Sequence, residues 1–460
     1  MKTLTLTKGQ ADVLRQHLFP ADGYEAVALL LCGRRSGSVV RHLVQRVVPI
    51  PYSECSERTP TSVRWSSRTL RDVLETASRA GLSVFKVHSH RNGLDEFSAT
   101  DDTADEAFFS NARVWVDRPI AHGSVVLMGD GRLFGRCIGA DGAVEPLERI
   151  MVVGPDVRIH FWDRQVPATP EALRRNAQAF GSRTVNLLKK LSVAVIGCSG
   201  TGSPAIEQLF RLGVGRLVLV EPEAVGVENL NRILHATAAD AAAKRPKVDV
   251  IGDAIERAGV GTTVVRICHP LSTRRAVEAV AACDFAFGCM DGAEGRSVLN
   301  RLATYYLLPY LDLGVKLEAD EQTGVIKEVS GAVHYLQPGL STLMDRRVIT
   351  PEDVQSEALR RIDPDEHARR EQERYIKGAK ESSPAVISVN FQVAAMAVND
   401  FLARLHDYRT DGNDPFAEWR VNLCHVEFYT APERDGAGYL AKCVGQGDVE
   451  PYLGMPELSR

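Results

Sequence analysis

The chain has 460 residues, a formal net charge of −4, 44% hydrophobic residues and 25% charged residues. This length predicts two or three domains with substantial cores, and the near balance of charge argues against partners such as nucleic acid or anionic membranes. No apolar stretch approaches the roughly 18 residues of a membrane span, and the first residues lack the apolar run of a signal peptide. We therefore expect a cytoplasmic protein.

The nine cysteines are scattered and include no Cys-x-x-Cys pair. This distribution favours reduced thiols over a disulfide framework and argues against a structural zinc site built from clustered thiolates. No cysteine lies between Cys289 and Cys424.

The first part of the chain alternates predicted strands and helices. Apolar runs predict strands at 26–31 and 84–87, and helices are predicted at 67–80 and 100–111. The Pro-containing segment 161–170 predicts a linker. We expect an α/β domain over residues 1–160 and a second domain over residues 171–460.

A histidine motif follows the predicted strand at 84–87. His88 and His90 are alternate residues, so both imidazoles can point to one side of a strand, and Ser98-x-x-Asp101 follows at the start of a predicted helix. Two imidazoles, one carboxylate and a water form the open site typical of catalytic zinc, which lowers the pKa of its water to roughly 7. The plainer alternatives are structural histidines and a helix-capping box.

Glu25 precedes the apolar run at 26–31, where a carboxylate beside a buried strand requires a reason. It is a candidate general base that takes a proton from water and returns it to the leaving amine. The alternative is a glutamate that ends a strand at solvent.

In this order and spacing, these residues resemble the signature of the JAMM (MPN-type, JAB) zinc isopeptidases over residues 1–150. The resemblance implies a cytidine-deaminase-like α/β/α domain. It also implies the roles of Glu25 as base, Ser98 as oxyanion stabiliser, and His88, His90 and Asp101 as Zn²⁺ ligands.

The second part of the chain predicts a parallel sheet with helices on both faces. Short apolar runs at 191–197, 216–220, 285–288 and 307–313 predict buried strands separated by helices. The charged segment 348–380 predicts either a mobile loop or a solvated helix. Helical periodicity returns at 383–405, where an apolar stripe predicts one buried face, formed by Val386, Val389, Val393, Ala394, Met396, Ala397 and Phe401.

A glycine-rich turn with Gly197, Gly200 and Gly202 follows the predicted strand at 191–197. Glycines let a backbone approach a phosphate, and a helix N-terminus favours the anion. Glu221, at the end of the next strand, can hold ribose hydroxyls. This pattern alone fits NAD, FAD, S-adenosylmethionine or ATP.

Further residues separate these ligands: Asn229, Asn231, Arg232, Lys247 and Asp291. An NAD site needs no such set, whereas adenylation does. In an adenylation site, cations such as Arg232 and Lys247 neutralise the charge on the pentacovalent phosphorus and on the departing pyrophosphate. A carboxylate such as that of Asp291 holds Mg²⁺. Singly, the two cations could be solvated surface residues and the aspartate a turn residue.

As an ordered set these residues resemble the ThiF/MoeB and ubiquitin-activating family over residues 170–460. The resemblance implies a Rossmann-like doubly wound domain that uses ATP and Mg²⁺ to attach AMP to the C-terminal carboxylate of a ubiquitin-like protein. Arg175 is similar to an arginine that family members insert into the partner subunit's site, which implies a homodimer. A conjugating-enzyme-like partner is also implied.

Ser199 and Glu221 replace a glycine and an aspartate that are usual in that family, both tolerable substitutions, and the chain departs from the family in two further places. Thr342-Leu-Met-Asp345 stands where many relatives carry a zinc-binding Cys-x-x-Cys, and the segment 348–383, where the thioester cysteine is usual, contains no cysteine. We therefore expect either direct transfer from the adenylate or an oxyester. The hydroxyls offered are those of Thr350, Ser356, Ser382 and Ser383, with His367 as a candidate base unless it is an exposed, solvated histidine.

The sequence thus predicts a bifunctional enzyme, a fusion like those of bacterial ubiquitin-like systems. One alternative is activation of a sulfur-carrier protein with trimming of its precursor. Another is a pseudoenzyme whose second domain only binds a ubiquitin-like protein for the peptidase.

Overall fold

The computed structural model describes residues 1–91, 93–320, 323–372, 386–434, 436 and 438–459. The chain folds into two compact units. The first consists of Met1–Gln165 with Tyr305–Leu307 and Cys443–Gly454, and the second consists of Val166–Thr304, Leu308–Lys442 and Met455–Arg460.

The first unit contains eleven strands and three α-helices among its described residues. Its strands are β1 (Lys2–Thr7), β2 (Val27–Arg35), β3 (Val40–Pro49), β4 (Cys55–Thr59), β5 (Ser62–Trp65), β6 (Ser83–His90), β7 (His122–Met128), β8 (Leu133–Ile138), β9 (Val144–Pro146), β10 (Arg149–Val153) and β11 (Val157–Phe161). Its helices are α1 (Lys8–Leu18), α2 (Ser67–Ala80) and α3 (Ala99–Val116).

Nine of these strands form one mixed sheet with helices on both faces. The strand order is β11-β10-β1-β3-β2-β6-β7-β8-β9, and β4 and β5 form a separate hairpin. Leu30 of β2 packs in a cluster with Leu14 of α1, whereas Leu29 packs with Val73 of α2 and Phe109 of α3. Because both faces of β2 are buried over its first part, the residues Val27–Cys32 form an uninterrupted apolar run. The predicted α/β/α domain is confirmed.

The second unit contains eight strands and nine α-helices among its described residues. Its strands are β12 (Ser192–Ile196), β13 (Arg216–Val220), β14 (Thr263–Ile267), β15 (Phe285–Gly288), β16 (Tyr310–Ala319), β17 (Ile326–Leu336), β18 (Glu418–Asn422) and β19 (Glu427–Ala431). Its helices are α4 (Arg174–Lys190), α5 (Gly202–Arg211), α6 (Ala238–Ala242), α7 (Lys247–Ala258), α8 (Arg274–Ala281), α9 (Ala293–Tyr306), α10 (Pro351–Ile362), α11 (Pro364–Gln372) and α12 (Ile387–Leu405).

The second unit is built on one sheet in the order β14-β13-β12-β15-β16-β17-β18-β19. The first five strands of this order pair in parallel, and the last three join antiparallel. The chain runs outward from β12 through β13 and β14, then continues at β15 on the other side of β12. Such a reversal of strand order creates a ligand-binding crevice at the carboxyl ends of the strands. The predicted Rossmann-like doubly wound domain is confirmed.

One local prediction differs from the structure, and another is decided between its alternatives. The strand expected at 307–313 begins only at Tyr310, because α9 runs to Tyr306 and Leu307 turns the chain with φ +51°. Of the two alternatives predicted for the charged segment 348–380, its described residues form the helical one, as α10 and α11, and α10 begins with a capping box between Thr350 and Asp353. A capping box and ion pairs within the helices thus stabilise this segment, which has no apolar stripe that would predict a helix. Residues 373–385, with Ser382 and Ser383, lie outside the described residues.

The apolar stripe of α12 is buried as predicted at five positions, those of Val389, Val393, Ala394, Ala397 and Phe401. Val386 differs, since it precedes the helix and is 41% exposed, and Met396 is half-buried. Within the described part of the chain, every helix is too short or too polar to cross a lipid bilayer.

Candidate functional site

The two histidines and the aspartate of the predicted zinc motif lie together in the first unit, and we call these three residues the histidine cluster. His88 and His90 are alternate residues of β6, and Asp101 is in the first turn of α3. The Nε2 atom of His88 lies 2.9 Å from Asp101 Oδ1, that of His90 lies 3.3 Å from Asp101 Oδ2, and the two Nε2 atoms are 3.1 Å apart. Zinc bonds of about 2.0–2.1 Å at tetrahedral angles separate ligand atoms by about 3.3 Å, so this donor set fits Zn²⁺.

The charges within the histidine cluster also suit a metal. Burial lowers the pKa of His88 and so favours the neutral imidazole that a metal requires. Burial would raise the pKa of Asp101, but its hydrogen bonds with His88 and His90 hold that pKa well below its usual range. The Nδ1 atom of His90 lies 2.7 Å from the carbonyl oxygen of Leu94, which orients the ring.

Ser98 forms the capping box that was the plainer alternative. Its hydroxyl donates to Asp101 Oδ2 at 2.7 Å and accepts from the backbone N–H of Asp101 at 3.2 Å. Asp101 therefore serves both as the acidic residue of the capping box and as a candidate metal ligand. Its Oδ2 accepts from Ser98, and its Oδ1 faces His88.

Glu25 lies just before β2 and is held by the β4–β5 hairpin. Its backbone N–H donates to the carbonyl oxygen of Thr59 at 2.8 Å, and its carbonyl oxygen accepts from Arg58 Nε at 3.1 Å. Burial raises the pKa of its carboxyl to about 7, and the charges of His90 and Asp101 act on it as well. A carboxyl with this pKa, near the histidine cluster, has the properties of a general base.

A buried ion-pair network behind the histidine cluster was not predicted from the sequence. Lys86 of β6 pairs with Asp105 of α3, and each side chain is 5% exposed. Asp105 also accepts from Arg136 of β8 at 2.7 Å and from the hydroxyl of Ser124 at 3.1 Å. Because Lys86 is two residues from His88 and Asp105 is one turn from Asp101, this network joins the two elements that carry the metal ligands.

The glycine-rich turn of the second unit connects β12 to α5. Gly197 has φ +92°, and a Cβ at Gly202 would lie 1.8 Å from the carbonyl oxygen of Gly197, so both positions require glycine. The turn leads to the N-terminus of α5, where the first backbone amides have no partner within the helix and favour an anion. The turn therefore fits a phosphate at the crevice of the sheet.

Glu221 follows β13 and is buried beside this turn. Its carboxylate accepts from the backbone N–H groups of Cys198 at 2.9 Å and Glu223 at 3.1 Å. Burial raises the pKa of Glu221, whereas the ammonium of Lys247 lowers it. Lys247 begins α7, is 2% exposed, and donates to the carboxylate of Glu223 at 2.5 Å. A buried cation thus lies close to the carboxylate predicted to hold the ribose.

Arg232 lies against the glycine-rich turn, since a Cβ at Gly200 would be 3.1 Å from its Cδ. Its guanidinium donates to the carbonyl oxygen of Glu228 at 2.6 Å and to Asn231 Oδ1 at 3.1 Å. Asn231 is exposed beside it.

Asn229 has a structural task in this state. Its side-chain oxygen accepts from the backbone N–H of Gly226 at 2.9 Å and caps the short turn Val227–Asn229. The side chain is buried.

Asp291 follows β15 and is exposed at the crevice. Its carbonyl oxygen accepts from Arg296, whose guanidinium also binds the carboxylate of Asp312 at 2.9 Å. Burial raises the pKa of Asp312, although Arg296 lowers it, and the Oδ2 atom of Asp312 is buried without a hydrogen-bond partner. A second, buried carboxylate therefore lies close enough to the predicted Mg²⁺ ligand for the charge of Asp291 to act on it.

Asn390, which was not predicted, lies at the glycine-rich turn, whereas the predicted Arg175 makes its described contact elsewhere. Asn390 of α12 is 4% exposed, and a Cβ at Gly200 would lie 2.5 Å from its Nδ2. The sequence offers no signal for this contact, because α12 is far along the chain. Arg175 of α4 is exposed and bonds Gln178 at 3.3 Å, away from the turn residues of its own chain in every described contact.

Two family models match the chain. Residues 173–433 match the model of the ThiF family, and residues 7–129 match the model described as prokaryotic homologs of the JAB domain. These matches confirm the two resemblances predicted from the sequence.

Curated relatives match parts of the chain. A tRNA threonylcarbamoyladenosine dehydratase of Bacillus subtilis is 44% identical over 77 residues, which are 17% of this chain and 30% of that protein. The adenylyltransferase and sulfurtransferase UBA4 of Meyerozyma guilliermondii is 29% identical over 154 residues, which are 33% of this chain and 35% of that protein. The chain thus spans about a third of the length of these relatives. Among solved structures, E. coli MccB with ATP is 15% identical with a TM-score of 0.45, over 60% of this chain and 75% of that chain.

Proposed function

Because the chain belongs to the ThiF family, we propose that its second unit uses ATP and Mg²⁺ to adenylate the C-terminal carboxylate of a ubiquitin-like protein. The observation that carries this proposal is the arrangement at the crevice of the sheet. The glycine-rich turn and Arg232 lie on one side, and Asp291 lies at the end of the neighbouring strand. This arrangement can hold a nucleotide with its phosphates at the N-terminus of α5.

Each residue has a task in that reaction. Glu221 accepts from the ribose hydroxyls, while Arg232 and Lys247 stabilise the charge on the phosphates as pyrophosphate leaves. Lys247 exchanges its ion pair with Glu223 for a phosphate. Asp291 and Asp312 hold Mg²⁺, and Arg175 acts in the site of a partner subunit in a homodimer.

For the first unit we propose zinc-dependent cleavage of an amide or isopeptide bond next to a ubiquitin-like C-terminus. His88, His90 and Asp101 hold Zn²⁺, which supplies Lewis acidity when bound. Glu25 takes a proton from the attacking water and delivers it to the leaving amine, which its raised pKa suits. Ser98 donates to the developing oxyanion after its hydroxyl leaves Asp101. A conjugating-enzyme-like protein is the expected acceptor of the activated carrier.

A second candidate function is activation of a sulfur carrier, favoured by the sulfurtransferase in the name of the Meyerozyma guilliermondii relative. The two candidates share adenylation and differ in product. Sulfur transfer ends in a thiocarboxylate, whereas ligation ends in an amide or ester. Intact mass of the carrier after reaction with ATP and a persulfide donor, followed by a reducing thiol that cleaves the acyl disulfide to the thiocarboxylate, distinguishes them.

The test of adenylation is ATP–pyrophosphate exchange by the full chain with a panel of ubiquitin-like and sulfur-carrier proteins that have a free C-terminal carboxylate. We expect Asp291→Ala to abolish exchange, and Arg232→Ala or Lys247→Ala to slow it about a hundredfold, on the order of 3 kcal/mol. Asp411→Ala, at an exposed turn of the same unit, is the matched control. Exchange that persists in all three site variants excludes this crevice. A carrier that binds without any exchange favours the pseudoenzyme.

A further inference from the structure

The charged segment contains a hydroxyl–imidazole pair. Ser356 of α10 is partly exposed, and its Oγ lies 3.1 Å from Nε2 of His367 on α11. His367 is only 5% exposed, in contrast to the solvated histidine considered from the sequence. Its Nδ1 faces Glu371 one turn further along, with Oε2 at 4.0 Å. The Oγ–Nε2 distance is that of a nucleophile and its general base, and the carboxylate of Glu371 faces the other nitrogen of the ring.

The helix that carries Ser356 is attached beside the predicted Mg²⁺ ligand. The carboxylate of Glu357 accepts from the backbone N–H of Glu294 at 2.8 Å and would lie 3.0 Å from a Cβ at Gly292, the residue after Asp291. Ser356 directly precedes Glu357 in α10, so the helix that carries the candidate nucleophile contacts the Asp291 loop. The candidate nucleophile therefore lies on a helix anchored beside the crevice where an adenylate would form.

We propose that Ser356 accepts the acyl group of the adenylated carrier and forms an oxyester, with His367 as its base. This inference rests on the proposed adenylation. In the step, the Oγ–H bond of Ser356 breaks and the proton passes to Nε2 of His367. Oγ bonds to the carbonyl carbon, the bond from that carbon to the phosphate oxygen breaks, and AMP leaves with the electron pair. The ester then reacts with a nucleophile of a partner.

Two other hydroxyls with hydrogen-bond partners among the described residues of this unit lack these features. The hydroxyl of Thr350 donates to Asp353 at 2.8 Å and accepts from its backbone N–H, so it serves as a helix cap. Thr184 also pairs with an imidazole, His406 at 2.8 Å, but Thr184 is 7% exposed and His406 contacts the rings of nearby aromatic residues. Among these three hydroxyls, Ser356 alone combines a base with partial exposure.

A fluorophosphonate tests the activation of Ser356 without a carrier, because an activated serine displaces its fluoride. The full chain should be labelled at Ser356, as mapped by peptide mass spectrometry. His367→Ala should slow labelling about a hundredfold, in the range of a lost general base. His406→Ala should label as the wild type does. Absence of label at Ser356, or labelling at the wild-type rate in His367→Ala, overturns the proposal.

The ester itself is tested with a carrier that supports pyrophosphate exchange. The wild type with ATP should form an adduct at Ser356 that resists reducing thiol and yields to hydroxylamine. Ser356→Cys should form a reductant-sensitive adduct at the same position, which excludes misfolding as the cause of a loss in Ser356→Ala. Exchange without any adduct, or an adduct mapped to Cys424 or Cys443, overturns the role of Ser356. Failure of exchange itself overturns the proposed adenylation instead.

Discussion

We predict that the ion pair between Lys86 and Asp105 stabilises β6 and α3, the two elements that carry the candidate zinc ligands. The pair joins β6, which carries His88 and His90, to α3, which carries Asp101. Both side chains are 5% exposed. Removal of one partner from a buried pair costs about 3–5 kcal/mol, because the other charge is left buried and uncompensated.

The two single variants should differ in cost. Lys86→Met leaves Asp105 with the guanidinium of Arg136 at 2.7 Å and the hydroxyl of Ser124 at 3.1 Å, so we expect the lower end of that range, about 3 kcal/mol. Asp105→Leu removes the carboxylate from both cations, so we expect about 5 kcal/mol. The double variant leaves no buried lysine and should cost about 2 kcal/mol less than the sum of the single variants.

Native-state hydrogen exchange of peptides from β6 and α3 measures these costs within the full chain. Lys8→Met is the matched control, since the pair of Lys8 with Asp12 is more than half exposed and should be worth less than about 0.5 kcal/mol. The zinc affinity of Asp105→Leu, measured by competition with a chelator, should fall as well. A cost for Asp105→Leu no larger than that of the control, or strict additivity in the double variant, refutes the coupling.

Four further predictions concern the two sites. His88→Ala should release zinc while His160→Ala retains it, as measured by elemental analysis, and full zinc in His88→Ala would contradict the assignment. Glu25→Gln should retain zinc but lose cleavage of a ubiquitin-like fusion, and wild-type turnover would mean that another group takes the proton. Burial raises the pKa of Glu25 from 4.5 to about 7, so its contribution to stability is present below 4.5 and is lost as pH rises through 7. In thermal unfolding of the zinc-free proteins, the wild type should therefore weaken relative to Glu25→Gln over that interval, and parallel pH profiles would contradict this. Gly202→Ala should abolish ATP binding as measured by calorimetry, because the added Cβ would overlap a backbone oxygen. Gly438→Ala is the control, since its Cβ would meet nothing within 4 Å. Equal ATP affinities of the two variants would exclude the turn as the phosphate site.

The sequence determined the local parts of both candidate sites. His88, His90 and Asp101 lie on a strand and the helix that follows it, so the period of the strand and the start of the helix were sufficient to predict their convergence. The glycine-rich turn is equally local, since it joins β12 directly to α5. The fold class followed from the same periodicities, because apolar runs separated by helices predict a doubly wound sheet.

The tertiary structure alone decided which distant residues meet these local motifs. Asp105 and Arg136 pair behind the histidine cluster, and Asn390 packs on the glycine-rich turn. Ser356 became distinguishable from Thr350 only when α10 packed on α11 and brought it to the imidazole of His367. Such contacts depend on how helices pack, and polar residues carry no periodic signal of their partners. A sequence therefore reveals the motif that a single turn builds, whereas packing selects the side chains that surround it.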